Sequence, residues 1–227
     1  MLPISLFLFL VYLLLLAYYT YHWERTAPFH RTAAKQQRRF SILIPVRDEE
    51  KNIGACLEAI KKQQYPNERI EIIVIDDFSQ DRTTAIVRQY PEIKLIQKNI
   101  DADRTGKKAS IEMGIRDAQH EWIITTDADC TPGPEWIPTI NAYLDQQDVH
   151  CLVGPVSIES RRKTILQQLQ RYDTLMFQGI TGAAISSGAH ALGNGANLCY
   201  RKESFLEVNG FSTRSEEHTS ELQSRQY

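Results

Sequence analysis

Residues 40–213 predict an α/β domain: a mostly parallel sheet with helices on both faces. Three observations carry this. Strand-like and helix-like segments alternate between Phe40 and Phe211. One run, Trp122-Ile123-Ile124-Thr125-Thr126, is apolar or β-branched throughout and reads as a buried strand. Three strand-like runs end in acidic or mixed-charge clusters, Arg47-Asp48-Glu49, Asp76-Asp77 and Asp127-Ala128-Asp129. In open α/β sheets ligands bind beyond the carboxyl ends of the strands.

The elements follow in order. Phe40 to Ile44 is a first strand, stopped by Pro45. Ile53, Cys56, Leu57 and Ile60 recur at helical spacing, so Asn52 to about Gln63 is an amphipathic helix. Ile70 to Ile75 is a second strand, and Asp81 is placed to cap a helix holding Ala85 and Ile86. Ile93 to Ile96 is a short third strand, Gly106 to Gly114 a helix, and Trp122 to Thr126 a fourth strand. Trp136 to Leu144 reads as helix and Cys151 to Ile158 as a fifth strand. Ile165, Leu166, Leu169, Tyr172, Leu175 and Met176 mark a long amphipathic helix with one face in the core. A Gly-rich link then leads to Ala196–Arg201 and a short helix with Phe205 and Val208. Trp122 and Trp136 read as packing residues rather than sugar platforms.

The two ends stand apart from this domain. From Leu2 to about Tyr21 no residue is charged, a length of roughly 30 Å as a helix, enough for a bilayer core. The run lacks the basic start and small-residue cleavage site of a signal peptide. Residues 1–22 therefore read as a single transmembrane anchor, with Tyr12, Tyr18, Tyr19, Tyr21 and Trp23 suited to an interfacial belt. Residues 23–39 form a basic juxtamembrane linker, in which Arg25, Arg31, Lys35, Arg38 and Arg39 face Glu24 as the lone acid. That excess places the domain in the cytoplasm and suits contact with anionic headgroups. Residues 214–227 have no apolar periodicity, and Arg214 to Ser224 reads as an in-frame sequencing-adapter translation. The expectation is that the natural chain continues beyond Thr213.

Composition excludes several classes. The 227 residues are 42% hydrophobic and 24% charged with net charge −2, which gives no sign of nucleic-acid binding. Cys56, Cys130, Cys151 and Cys199 lie far apart without a C-x-x-C pair, so they read as reduced, mostly buried thiols. There is no G-x-G-x-x-G after the first strand, no P-loop around Gly106-Lys107-Lys108 and no G-x-S-x-G elbow. What remains is the acidic rim. Two carboxylates two residues apart at a strand end repel unless a cation sits between them. A divalent metal carrying a phosphorylated ligand is the simplest cause.

The chain resembles the family 2 glycosyltransferases, nucleotide-sugar enzymes of the GT-A fold, in their membrane-anchored, processive-like branch. The matching blocks are Ser41 to Glu50, Ile73 to Asp81, Gly106-Lys107-Lys108-Ala109, Thr126 to Asp129 and Gly195 to Arg201, in family order. The resemblance implies that Pro45, Arg47 and Glu49 line the nucleoside pocket. It implies that Asp77, with Asp76 beside it, hydrogen-bonds the base, expected to be uracil. Lys107 would approach the diphosphate, Asp127 the ribose or diphosphate, and Asp129 would ligate Mg²⁺ or Mn²⁺. Asn197 and its block would border the donor sugar and the acceptor, a lipid, saccharide or polymer. The implied reaction is metal-dependent hexosyl transfer with inversion. Its base is expected in an acidic motif beyond Thr213, so the chain ending there is expected to bind nucleotide without transferring sugar. Two rivals stay open: a haloacid-dehalogenase-like phosphotransferase, whose D-x-D-x-T motif fits Asp127 to Thr131, and a membrane-tethered nucleotide-binding module without catalysis.

Overall fold

The structure, a computed structural model, describes residues 2–26, 28–98, 106–158, 164–189 and 193–211. In chain order these form α1 (Leu2–Glu24), β1 (Phe40–Val46), α2 (Ile53–Lys61), β2 (Ile70–Asp76), α3 (Thr83–Val87), β3 (Lys94–Gln97) and α4 (Lys107–Asp117). Then come β4 (Trp122–Thr125), α5 (Trp136–Gln146), β5 (Cys151–Val153), α6 (Ile165–Ser187), β6 (Leu198–Arg201) and α7 (Lys202–Glu207). The described residues fall into two units. One takes in those of Met1–Thr32 and Val153–Asn197, the other Ala33–Leu152 with those from Leu198 onward. The adapter-like tail lies outside the described residues.

The second unit is built on a six-stranded sheet of order β3-β2-β1-β4-β6-β5. β3, β2, β1 and β4 run parallel, while β6 pairs antiparallel with β4. The expected mixed α/β architecture with a mostly parallel sheet is what forms.

Side-chain alternation divides the core between two faces. Phe40, Ile42, Ile44 and Val46 of β1, Ile72 and Val74 of β2, and Trp122 and Ile124 of β4 share one layer with Ile53, Leu57 and Ile60 of α2 and Ile137, Ile140 and Leu144 of α5. Leu43, Ile73, Ile75 and Ile123 face the other way, onto Ile111 and Ile115 of α4. Period-two alternation gives each strand two buried faces, which is why these runs are apolar throughout. Ser41 is the polar exception in β1. Its hydroxyl donates to Glu71 (2.5 Å) and accepts the His120 N–H (3.2 Å), so it is satisfied although buried. Trp122 belongs to the core and Trp136 packs against it, as expected.

β1 does not stop at Pro45 but runs to Val46, with Pro45 opposite Ile75. A proline inside a central strand needs a place where no N–H is required. The Leu43 carbonyl accepts from Thr126 N–H on the β4 side, and the Val46 carbonyl accepts from Asp77 N–H on the β2 side. Alternation turns Pro45 toward β4, beyond the last β1–β4 pair, Leu43 with Thr125. Its missing donor therefore costs no ladder bond. It marks where β1 and β4 diverge, the point at which strand order reverses and ligands sit in such sheets.

Three expectations are corrected. β5 covers only Cys151–Val153, because Gly154 sends its N–H to the Asn197 carbonyl (2.8 Å) and Pro155 has no N–H to offer. Asp81 lies one residue before the α3 N-cap, Arg82, and its carboxylate accepts from the N–H groups of Thr83 and Glu50 (both 2.9 Å), joining two loops. The long helix extends to Ser187, where Gly188 at φ 72° ends it, but its apolar side is not core. Ile165, Leu169, Tyr172 and Met176 are 60–80% exposed, and the helix buries only Thr181, Ala183 and Ala184. Its start is fixed by a capping box at Thr164 and Gln167.

Within the first unit α6 packs beside α1, where Gly182 leaves a Cβ position 3.0 Å from the Trp23 ring. α1 contains one segment, Pro3–Glu24 (mean hydropathy 2.0), long and apolar enough to cross a membrane. Part of the basic linker is folded against α5. Lys35 N–H donates to Asp145 (2.8 Å), Arg38 N–H to Asn141 (3.1 Å), and the Asn141 amide to the Gln36 carbonyl (2.9 Å). Free thiols are found throughout. Cys56 and Cys199 are buried, Cys130 is partly so, and Cys151 is exposed.

Candidate functional site

The carboxyl ends of β1, β2 and β4 form one rim, and the loops behind β1 and β2 are laced to each other. Asp48 N–H donates to Ser79 (3.0 Å) and Gln80 N–H donates back to Asp48 (2.7 Å). Glu49 N–H donates to Thr83 (2.8 Å), while the Glu49 carbonyl accepts the N–H groups of Asn52 and Ile53 (both 3.0 Å) and so starts α2. Asp48 (φ 54°) and Phe78 (φ 64°) hold left-handed backbone here, a conformation that costs energy for such residues and is retained where the surroundings enforce it. Pro45 is half-buried and Arg47 is exposed, its Nε 3.9 Å from Asp48.

Asp76 and Asp77 are both buried, and they do different things. The Asp76 carboxylate accepts Ser79 N–H (3.2 Å) and shapes the 76–79 turn. Asp77 is gripped at both oxygens. Lys98 Nζ donates to Oδ1 (2.8 Å) and Gly106 N–H donates to Oδ2 (2.9 Å). Lys98 Nζ also reaches the Gly106 carbonyl (3.2 Å), and its side chain is wholly buried. Gly106 has φ 94°, so this left-handed turn suits a residue without Cβ. Next to it, Lys107 at the start of α4 forms an ion pair with Asp127. The rim is thus a chain of alternating charge, from Lys98 through Asp77, Gly106 and Lys107 to Asp127.

Lys98 and Lys107 neutralise Asp77 and Asp127 within the protein, a charge balance additional to the divalent ion expected at the rim. Sequence reading missed Lys98. A lone lysine after a short strand carries no spacing signal, and only the fold brings it to Asp77.

Asp129 is different. It is exposed, and its Oδ1 accepts a weak S–H contact from Cys130 (3.8 Å). Beneath it Cys56 donates its S–H to the Asp127 carbonyl (3.6 Å). Burial, then the neighbouring Cys130, Asp129 and Asp127, push the Cys56 thiol up to about 12. Among the described residues no group of three or more His, Cys, Asp or Glu could hold a metal by itself. An exposed hard-oxygen donor without a protein cage still fits Mg²⁺ or Mn²⁺, which commonly bind through one or two carboxylates plus substrate phosphates and water.

Asn197 belongs to the other unit, in a 3-10 turn (Gly195–Asn197) leading into β6. Its amide donates to the Pro155 carbonyl (2.8 Å). A Cβ on Gly154 would lie 2.2 Å from its Nδ2 and 2.5 Å from its Cγ. Gly154→Ala is therefore expected to displace the Asn197 side chain at a cost of roughly 1–3 kcal/mol. The added substitution Asn197→Gly should recover part of the loss. Thermal unfolding of the single and double variants checks this; a Gly154→Ala midpoint equal to the parent's would refute the close packing.

A cavity of about 310 Å³ lies at the opposite ends of the strands, lined by Gln36, Arg38, Arg39, Arg69, His120 and Trp122 among others. It holds none of the rim carboxylates.

Comparison with known proteins agrees with the fold. The profile of the family described as glycosyl transferase family 2 matches residues 41–208. A probable glycosyltransferase, YdaM, of Bacillus subtilis is 28% identical over 211 residues, which is 90% of this chain and 50% of that protein. The 4,4'-diaponeurosporenoate glycosyltransferase of Staphylococcus aureus is 33% identical over 157 residues, 67% of this chain and 38% of that one. The chain thus spans half or less of the length of these relatives. Among solved structures, the mannosyltransferase PcManGT of Pyrobaculum calidifontis with GDP-Man and Mn²⁺ superposes with a TM-score of 0.66 at 23% identity, covering 87% of this chain and 55% of that one. S. aureus TarS 1-349 with UDP-GlcNAc gives 0.54 at 19% identity, covering 75% and 47%. At these identities the likeness speaks for the fold alone.

Proposed function

The chain belongs to glycosyl transferase family 2, and on that premise we propose that its carboxylate rim holds a nucleotide diphosphate-sugar, foremost a UDP-sugar, for inverting hexosyl transfer to a lipid, saccharide or polysaccharide acceptor. The observation that carries the reading is the gathering of Asp77, Lys107 and Asp127 at the β1–β4 divergence, joined by hydrogen bonds and an ion pair. Asp77 would receive the base, Asp76 would hold the turn beside it, and Pro45, Arg47 and Glu49 would flank the nucleoside. Asp127 would meet the ribose or diphosphate, and Asn197 the donor sugar.

In the reaction the bond from the sugar's anomeric carbon to the phosphate oxygen breaks. The acceptor oxygen bonds to that carbon from the opposite face, and its proton passes to a base. We assign no residue of 40–211 as that base. The nucleoside diphosphate leaves with an added negative charge. Lys107, paired with Asp127 at the rim, would move toward the diphosphate. Asp129 would hold Mg²⁺ or Mn²⁺, which supplies further charge stabilisation to the leaving group. A phosphotransferase reading lacks support, since its D-x-D-x-T motif ends a first strand and here β4 follows three others.

The membrane-anchored arrangement is part of the proposal. α1 would span the bilayer, and the basic residues after it would keep the domain on the cytoplasmic side. The test uses the whole chain in neutral detergent. UDP should be retained, more tightly with Mn²⁺, and p-nitrophenyl phosphate should not be hydrolysed. Phosphate release without UDP retention would reverse the assignment.

A further inference from the structure

We propose that Lys98 is a positioning residue that makes Asp77 a pure hydrogen-bond acceptor, and so restricts the nucleotide to bases with a ring N–H on their pairing edge. The inference rests on the donor reading above and deepens it.

The geometry is specific. Asp77 Oδ1 takes the Lys98 ammonium at 2.8 Å, and Oδ2 takes Gly106 N–H at 2.9 Å. A carboxylate oxygen can accept twice, so one acceptor position remains on each oxygen. Neither has a proton to give. The ammonium is wholly buried and also bonds the Gly106 carbonyl at 3.2 Å, so it is fixed from two sides. The two opposite charges, 2.8 Å apart and both buried, compensate each other inside the protein. Gly106 and Lys98 together also fix the carboxylate plane.

Consider what such a group can bind. Uracil and guanine carry N–H at the centre of their pairing edges and can donate to Asp77. Cytosine and adenine carry a bare ring nitrogen there, which would face the lone pairs of an anion. A site built to accept one hydrogen bond rejects a ligand that cannot supply it more strongly than shape alone would. The donor class is therefore nucleotides with a lactam base, UDP-sugars first, with GDP-sugars satisfying the same chemistry. If Lys98 loses its charge, the buried carboxylate must draw in water or take up a proton. Either event supplies a donor where none existed, and cytosine gains a partner. Lys98 touches no substrate in this account. It acts only through Asp77.

A purely structural role for Lys98 predicts something different: every nucleotide should weaken alike when it is removed. The discriminating quantity is the ratio of UDP to CDP affinity. Calorimetric titration of the whole chain in detergent, at fixed Mn²⁺, with UDP and with CDP, measures it for the parent, Lys98→Met and Lys98→Gln. Gln keeps a neutral donor for Asp77, and serves if the apolar variant fails to fold. The parent is expected to favour UDP by about tenfold or more. In the variants UDP binding should weaken and the ratio should fall about tenfold toward unity. A ratio that stays at the parent's value, whether UDP binding is retained or both nucleotides weaken by the same factor, overturns the inference while leaving the donor site standing. A parent that binds UDP and CDP equally also overturns it. If the parent binds neither nucleotide, the donor reading itself falls, and this inference with it.

Discussion

Asp129→Ala is expected to remove the part of UDP binding that Mn²⁺ contributes, weakening affinity in the presence of the metal by about a hundredfold, or ~3 kcal/mol. The argument is one of donor chemistry. Asp77 and Asp127 each face a lysine ammonium, so their charge is already balanced within the protein. Asp129 is exposed, with the weak S–H donor of Cys130 at 3.8 Å, and presents a hard oxygen to solvent. UDP binding without metal should change little, because the proposed contact of Asp77 to the base and the Lys107 charge would remain. The thermal midpoint should also hold, since removing an exposed carboxylate outside a network costs within about 0.5 kcal/mol. Titrations with and without Mn²⁺ give both numbers. A variant whose UDP affinity still rises with Mn²⁺ as the parent's does would place the metal elsewhere.

The strands were legible because burial on both faces leaves little choice of residue. Ile42-Leu43-Ile44, Ile72-Ile73-Val74-Ile75 and Trp122-Ile123-Ile124 each feed two core layers, so the apolar run itself announces the strand. Their acidic ends were legible because carboxylates follow closely on the apolar runs, at Asp48-Glu49, Asp76-Asp77 and Asp127-Ala128-Asp129. Pairing between distant residues was not. Nothing around Lys98 indicates that it will lie 2.8 Å from Asp77, since that contact depends on β3 lying beside β2. The apolar spacing of Ile165, Leu169, Tyr172 and Met176 correctly marked a helix but misled about burial. Periodicity reports which side of a helix is apolar, not what covers it. At Gly154-Pro155 the lesson runs the other way. A proline and a glycine after Val153 are the ordinary signs of a strand's end, and the apolar residues beyond them, Val156 and Ile158, made the strand seem longer.

Phe40→Ala is expected to destabilise the sheet unit by about 3–5 kcal/mol, lowering its thermal midpoint by roughly 10 °C or more. Phe40 opens the central strand, in register with Ile70 on one side and Trp122 on the other, and is 0% exposed. Its ring meets Tyr65 edge-on at 5.8 Å, and the Tyr65 hydroxyl donates to the Arg38 carbonyl at 2.7 Å. Alanine would therefore leave a cavity at the junction of β1, β2 and β4 and loosen the linker segment held by Tyr65. Leu169→Ala removes an equally apolar residue from α6, but Leu169 is 60% exposed, so the cost there should stay within about 0.5 kcal/mol. The pair separates two ideas that composition cannot: apolar character and burial. Denaturant titration of both variants in the same detergent decides between them. Equal losses would mean that the side of α6 bearing Leu169 is covered in solution.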